Sequence, residues 1–236
     1  TATPYVHNVR NATTTTLTSN NNPSIYGQNV TFTSTTTSAA AGTITGSVSF
    51  YNGATLLGTD NTIVGGVADF SINSLVVGTH PITAVYSGGG IFATSTSASL
   101  DQVVDKATLT VTADNQTITY GDADPIFTFT YSGFVLGETS AVVDTPPTCD
   151  APTPHVDAGT YPGIIVCSGG LDNNYTFNYV NGNLTVDPKA LTITADNQGK
   201  AFNTLFTFAG TEFTPSGLIL GDTIASVTLT SLGTPV

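Results

Sequence analysis

With 236 residues the chain exceeds a single β-sandwich of about 100 residues and reads as two or three modules, each with a small core of its own. Charged residues make up only 8% and hydrophobic residues 39%, which excludes a disordered polyelectrolyte. Four basic residues (Arg10, Lys106, Lys189 and Lys200) stand against 16 acidic ones, and the net charge of -12 excludes a nucleic-acid partner and electrostatic docking on anionic lipid.

In chain order, residues 1–11 form an N-terminal arm or linker that does not resemble a signal peptide. The sequence opens on Thr1, so it reads as a processed protein or as a segment of a longer one. Residues 12–105 carry a series of short alternating runs: TTTTLTS, NVTFTSTTT, GSVSFYN, ATLLGT, VADFSIN, HPITAVYSG and ATSTSASLDQVV. Turn signals separate them at Asn22-Pro23, Asn52-Gly53, Gly65-Gly66 and Gly88-Gly89-Gly90. Such spacing predicts a sandwich, because period-two patterning buries one face of each strand while Gly, Pro and Asn reverse the chain.

Self-similarity organises the rest of the chain. The segment KATLTVTADNQ from Lys106 recurs as KALTITADNQ from Lys189, with the ADNQ motif 82 positions apart. SGFVLGETSAV from Ser132 recurs as SGLILGDTIAS from Ser216, 84 positions apart. One module therefore spans 106–187, and a partial second copy spans 188–236. Within the first copy, YTFNYVNGNLTVD (175–187) predicts a hairpin turning at Asn181-Gly182, the favoured two-residue turn between alternating strands. No stretch has sustained helical periodicity and no apolar run approaches the roughly 20 residues needed to span a bilayer, so the fold expected is all-β, as tandem small modules in an extended, beads-on-a-string array without membrane insertion.

Residues 12–105 resemble the bacterial Ig-like repeat family, through PSIYGQNVTFT, GSVSFYNGATLLGT and GTHPITAVYSGGGIFATSTS. The modules from Lys106 and Lys189 resemble MBG repeats, mostly-β modules of bacterial surface proteins, through KATLTVTADNQTITYGDADPIFTFTYSGFVLGE and GTYPGIIVCSGGLDNNYTFNYVNGNLTV. The resemblance implies tandem repeats of large secreted or surface-anchored proteins without catalytic residues. Two departures stand out: GGGIF replaces the acidic turn that often precedes the Phe in such Ig-like repeats, and KAFNTLF replaces YGDADPIF in the last repeat.

Candidate chemistry is sparse. Cys149 and Cys167 are the two cysteines, and their spacing within one module predicts a disulfide and an oxidising, extracellular location. His155 is the neighbouring histidine, too few ligands for a structural zinc site. His7, His80 and His155 are scattered and read as surface or packing residues, so no catalytic residue and no cofactor is expected. Asp122, Asp124 and Glu138 raise a calcium site against the simpler reading of a turn at Gly121–Pro125. Lys106 and Lys189 open equivalent strands and read as edge lysines rather than isopeptide donors. Sequons at Asn11, Asn29, Asn115, Asn174 and Asn183 are ordinary for an Asn- and Thr-rich chain, and Tyr51, Tyr86, Tyr131 and Tyr161 read as packing residues rather than sugar platforms.

The function expected from these features is a non-enzymatic stalk or adhesive element at a bacterial surface. Its partners are neighbouring modules or other copies of the chain. Two alternatives accompany it: a filament subunit whose partial module 188–236 is completed by strand addition, with residues 1–11 as donor, and a module binding surface glycans or receptors.

Overall fold

The computed structural model describes residues 9–152, 157–219 and 221–231. The first eight residues of the arm, with His7, and residue His155 lie outside the described residues.

Nine strands build the first module: β1 (Thr14–Ser19), β2 (Ser24–Ile25), β3 (Val30–Thr37), β4 (Val48–Asn52), β5 (Thr55–Asp60), β6 (Val67–Ile72), β7 (Gly78–Tyr86), β8 (Ser95–Thr96) and β9 (Leu100–Asp105). They form two sheets, ordered β1-β3-β6 and β2-β9-β7-β4-β5, with β8 added to β7. Strict alternation explains the pairing of faces. In β3 the side chains of Val30, Phe32, Ser34 and Thr36 are buried while the threonines between them are half-buried, and in β7 His80, Ile82, Ala84 and Tyr86 point inward. Phe32, Phe50, Ile82 and Tyr86 are fully buried at the centre, each contributing on the order of 2 kcal/mol of apolar transfer. Gly58 is required by this packing: a Cβ there would lie 2.3 Å from the ring of Phe70, which stacks on Phe50 at a centroid distance of 5.6 Å.

Several polar groups buried with the core are partnered, whereas the buried Ser34 hydroxyl on β3 has no hydrogen-bond partner among the described residues. Gln102 accepts from the Ser19 hydroxyl at 2.6 Å and donates to the Asn21 carbonyl at 2.8 Å and the Val103 carbonyl at 3.0 Å. A hydroxyl chain joins Thr13, Ser95, Thr15 and Thr36 at 2.7, 2.7 and 3.2 Å. Threonine is abundant here because one residue type supplies both a β-branched wall and a hydrogen-bonding hydroxyl.

Residues 106–187 form β10 (Ala107–Ala113), β11 (Gln116–Thr119), β12 (Phe129–Ser132), a 3-10 turn (Ser140–Val142), β13 (Thr148–Asp150), β14 (Gly159–Ser168), β15 (Tyr175–Val180) and β16 (Gly182–Asp187). Their sheets run β12-β10-β15 and β11-β16-β14-β13. The hairpin expected at Asn181-Gly182 is therefore not formed. β15 pairs in one sheet, whereas β16 lies between β14, antiparallel, and β11, parallel with Gln116 opposite Leu184. Asn-Gly acts as a sheet switch, and Gly182 is needed because a Cβ would meet the carbonyls of Ala113 and Asp114 at 2.9 Å. The last strands, β17 (Thr192–Ala195) and β18 (Phe213–Ser216), pair antiparallel with Thr192 opposite Ser216.

Packing divides the chain into two compact units: residues up to 111 with 130–148 and 168–179, and residues 112–129 with 149–167 and those from 180 onward. Residues 106–187 thus contribute to both. No helix among the described residues is long and apolar enough to cross a membrane.

Candidate functional site

The residues nominated from sequence occupy separate places. Cys149 and Cys167 are disulfide-bonded, joining β13 to β14. His80 is spent on structure: its Nε2 donates to the Val76 carbonyl at 2.8 Å and its Nδ1 accepts from the Asn52 amide at 2.9 Å. Asp122 belongs to a turn, its backbone N–H donating to the Thr119 carbonyl at 2.9 Å, and among the described residues no three His, Cys, Asp or Glu side chains are grouped to hold a metal. Lys106 donates to the Asp172 carbonyl at 2.7 Å, while Lys189 is exposed. Asn115 and Asn183 use their side-chain carbonyls to accept the backbone N–H groups of Asn183 and Gly163 at 2.7 and 2.8 Å. Tyr86 is buried with its hydroxyl on the Thr45 carbonyl, and Tyr51, Tyr131 and Tyr161 are half-buried. A cleft of about 710 Å3 near Gln198, Lys200, Leu205, Phe206, Phe208 and Ser231 has no carboxylate, imidazole or thiol in its lining.

The structure assembles a different constellation within the first unit. β2 lies parallel to the end of β9, Ile25 opposite Asp105, and the Tyr26 N–H donates to the Asp105 carbonyl at 2.8 Å. The chain then turns, Gln28 N–H donating to the Ile25 carbonyl at 2.9 Å, with Gly27 at φ +82°. This places a Tyr-Gly turn beside the residue from which the second module begins. From that module comes the loop after β12, closed by Glu138 N–H on the Val135 carbonyl at 3.0 Å. Gly133, at φ +105°, lets it pass the Thr108 carbonyl, which a Cβ would approach to 2.6 Å.

The two elements interlock. Glu138 accepts the Tyr26 hydroxyl on Oε1 at 2.8 Å and the Tyr175 hydroxyl on Oε2 at 2.5 Å, and the Val135 N–H donates to the Tyr175 oxygen at 3.0 Å. The Tyr26 and Tyr175 rings meet edge to face at 5.6 Å, and Phe134 meets Tyr175 in the same way at 5.6 Å. Val135 fills the space over Gly27, where a Cβ would lie 2.5 Å from its Cγ2. Burial first, then the hydrogen bond to the Glu138 carboxylate and its charge, push both tyrosines up to about 12, so their hydroxyls remain donors through the physiological range. A carboxylate holding two neutral donors over an aromatic cluster is a binding joint: each of its oxygens accepts a tyrosine of the protein itself.

Glu138, a calcium candidate in the sequence, thus serves a different chemistry, and Tyr26, Gly27, Val135 and Tyr175 do not stand out there as a group. The signal that reveals them is the Tyr-Gly dipeptide, which stands in both Tyr26-Gly27 and Tyr120-Gly121.

A model of the bacterial Ig-like domain (group 3) matches residues 17–105, and a model of the MBG domain (YGX type) matches residues 109–185. A solved structure of Clostridium thermocellum CbhA fibronectin(III)-like modules aligns at 18% identity over 73% of this chain and 94% of that chain, with a TM-score of 0.29, too low to carry an argument. No curated protein matches. Two family matches in the order in which the strand sets occur identify residues 17–105 as a bacterial Ig-like domain of group 3 and residues 109–185 as an MBG domain of the YGX type.

Proposed function

We propose that the chain is a structural spacer of a bacterial extracellular protein, in which successive β-modules hold a fixed mutual orientation and carry load or distance rather than chemistry. The observation that carries this reading is the joint at Glu138: the second module reaches back to a turn of the first with a carboxylate, an aliphatic side chain and an aromatic cluster. A flexible tether would need none of these. Domains of these two types are typical of extracellular bacterial proteins and are typically non-catalytic, and the Cys149–Cys167 disulfide suits an oxidising location. Single-molecule pulling on the full chain tests the role. A spacer gives discrete unfolding events with forces above those of an unstructured tether and no ligand dependence. A featureless stretching curve, or a saturable glycan-array signal lost on changing exposed aromatics, would contradict it.

Strand addition is a second reading, favoured by one observation: all four residues of β17 are exposed, although β17 is paired with β18. On the proposed donor side, Asn11 is tied to its own module, its N–H donating to the Ile91 carbonyl at 2.7 Å, which restricts a donor arm to the residues before it. Light scattering on the eluting native chain decides: concentration-dependent growth supports filament assembly, and a constant monomer mass opposes it.

A further inference from the structure

Part of the joint at Glu138 occurs twice: a Tyr-Gly turn with an aliphatic side chain and one acid set against it, the acid accepting two tyrosines in the first joint and Tyr120 in the second. In the second unit, β11 lies parallel to the end of β16, with Thr119 opposite Asp187, and the Tyr120 N–H donates to the Asp187 carbonyl at 2.8 Å. The following turn is closed by Asp122 N–H on the Thr119 carbonyl at 2.9 Å, with Gly121 at φ +82°. Each of these features has its counterpart at Ile25, Tyr26, Gly27 and Gln28, in a module of a different family whose sequence around the turn shares only the Tyr-Gly pair.

The opposing loop is repeated too. Gly217, at φ +103°, passes the Ala190 carbonyl as Gly133 passes that of Thr108, and Asp222 N–H closes the loop on the Ile219 carbonyl at 3.0 Å. Ile219 fills the space over Gly121, its Cδ1 2.4 Å from where a Cβ would stand. Asp222 accepts the Tyr120 hydroxyl at 2.9 Å. The aliphatic residue and the acid are three apart in both loops, Val135 with Glu138 and Ile219 with Asp222. This second carboxylate is a methylene shorter, and Tyr120 donates to it at nearly the distance found in the first joint, 2.9 against 2.8 Å.

We propose that the Tyr-Gly turn at the end of a module is a general socket for the next module, and that it recognises a loop of the pattern Gly-x-(Val/Ile)-Leu-Gly-(Glu/Asp). The glycine of the socket admits the aliphatic side chain, the tyrosine hydroxyl selects the acid, and the parallel strand pair sets the socket beside the exit of its own module. The Ig-like and MBG modules are thus interchangeable as predecessors of an MBG module. Shape and hydrogen bonding act together here: a side chain at the glycine would exclude the loop sterically, and a residue without an acceptor at the acid would leave the buried Tyr26 without its acceptor in the first joint and the more exposed Tyr120 without its partner in the second. The inference rests on the chain being built of successive modules and is independent of its extracellular role.

The test is a reciprocal exchange in the full chain, V135I/E138D together with I219V/D222E, followed by methyl NOEs from residue 135 to the Tyr26 ring and from residue 219 to the Tyr120 ring. The rule predicts that both sets persist in the exchanged chain. Gly27→Val removes only the first set and Gly121→Val only the second. Tyr26→Phe, which leaves the packing in place, raises the amide exchange rate of Gln28 by about tenfold, the loss of one charge-assisted hydrogen bond, and Tyr120→Phe raises that of Asp122 by a smaller factor, because the Tyr120–Asp222 bond is exposed to water. Loss of either NOE set on exchange, or a glycine variant that leaves its own set intact, overturns the rule. Spacer assays do not enter, so a failed socket rule and a failed spacer role are separately visible.

Discussion

Replacing Glu138 by alanine strips the first joint of its central acceptor while leaving the loop backbone able to fold. Two hydroxyls lose a carboxylate: that of Tyr26, whose side chain is 6% exposed, and that of Tyr175, 1% exposed. A hydrogen bond to a charged group contributes about 1.5–3 kcal/mol, and with Glu138 itself half-buried the lower figure applies to each, giving a loss of about 3 kcal/mol. For a compact unit of this size about 3 °C accompany each kcal/mol, so the transition of the Ig-containing unit should fall by about 9 °C in scanning calorimetry. Both aromatic hydroxyls should at the same time become easier to ionise, which ultraviolet titration reads independently. A shift below about 2 °C, with unaltered tyrosine titration, refutes the view that the carboxylate holds the joint.

Alkaline pH provides a related test. Tyr26 and Tyr175 are raised to about 12 in the folded protein from an ordinary value near 10, so the neutral forms stabilise the fold fully below about pH 10, and that stability is lost as pH rises through 12; Tyr26→Phe should flatten this loss in urea melts taken across the window. Reducing the Cys149–Cys167 disulfide, whose cysteines are 18 positions apart, should cost about 3 kcal/mol in the chain-entropy picture, read as a lowered second transition with reductant present. Gly58→Ala drives a methyl into the Phe70 ring and should destabilise the first module by about 1–3 kcal/mol in chemical denaturation. Asn203 sits at φ +59° in a turn closed by Thr204 N–H on the Ala201 carbonyl, so Asn203→Gly should be neutral or stabilising, whereas Asn203→Val should lose about 1–2 kcal/mol.

Strand positions and inward faces were legible because period-two patterning is local: the alternation of Val30, Phe32 and Ser34 with threonines states the buried face of β3 without knowledge of its neighbours. The recurrence of ADNQ and SG segments sets a repeat period of 82 to 84 positions within the sequence itself. Pairing was less legible. Asn181-Gly182 between alternating runs satisfies every local condition of a hairpin, and what overrides it is the parallel partner β11, whose Gln116 lies opposite Leu184 from far earlier in the chain, a pairing no local pattern announces. The joint was hidden for the same reason. Tyr26 and Glu138 are 112 positions apart, and in isolation each has a plainer reading, a packing tyrosine and one acid of a loose acidic cluster. The repeat holds the missing information, since Tyr-Gly recurs at Tyr120-Gly121 and the acid at Glu138 recurs at Asp222 in the same place after its Ser-Gly pair, but the sequence does not say that they meet.

Spin labels across the first joint measure directly whether the modules hold a fixed orientation. With nitroxides at Val64→Cys and Leu171→Cys, two exposed positions of the first unit, and the native disulfide kept oxidised, pulsed electron-electron resonance on the full chain should give one narrow distance distribution that broadens in Glu138→Ala. A broad distribution in the unaltered chain, insensitive to Glu138, would mean that the modules swing freely and that the joint does not hold them.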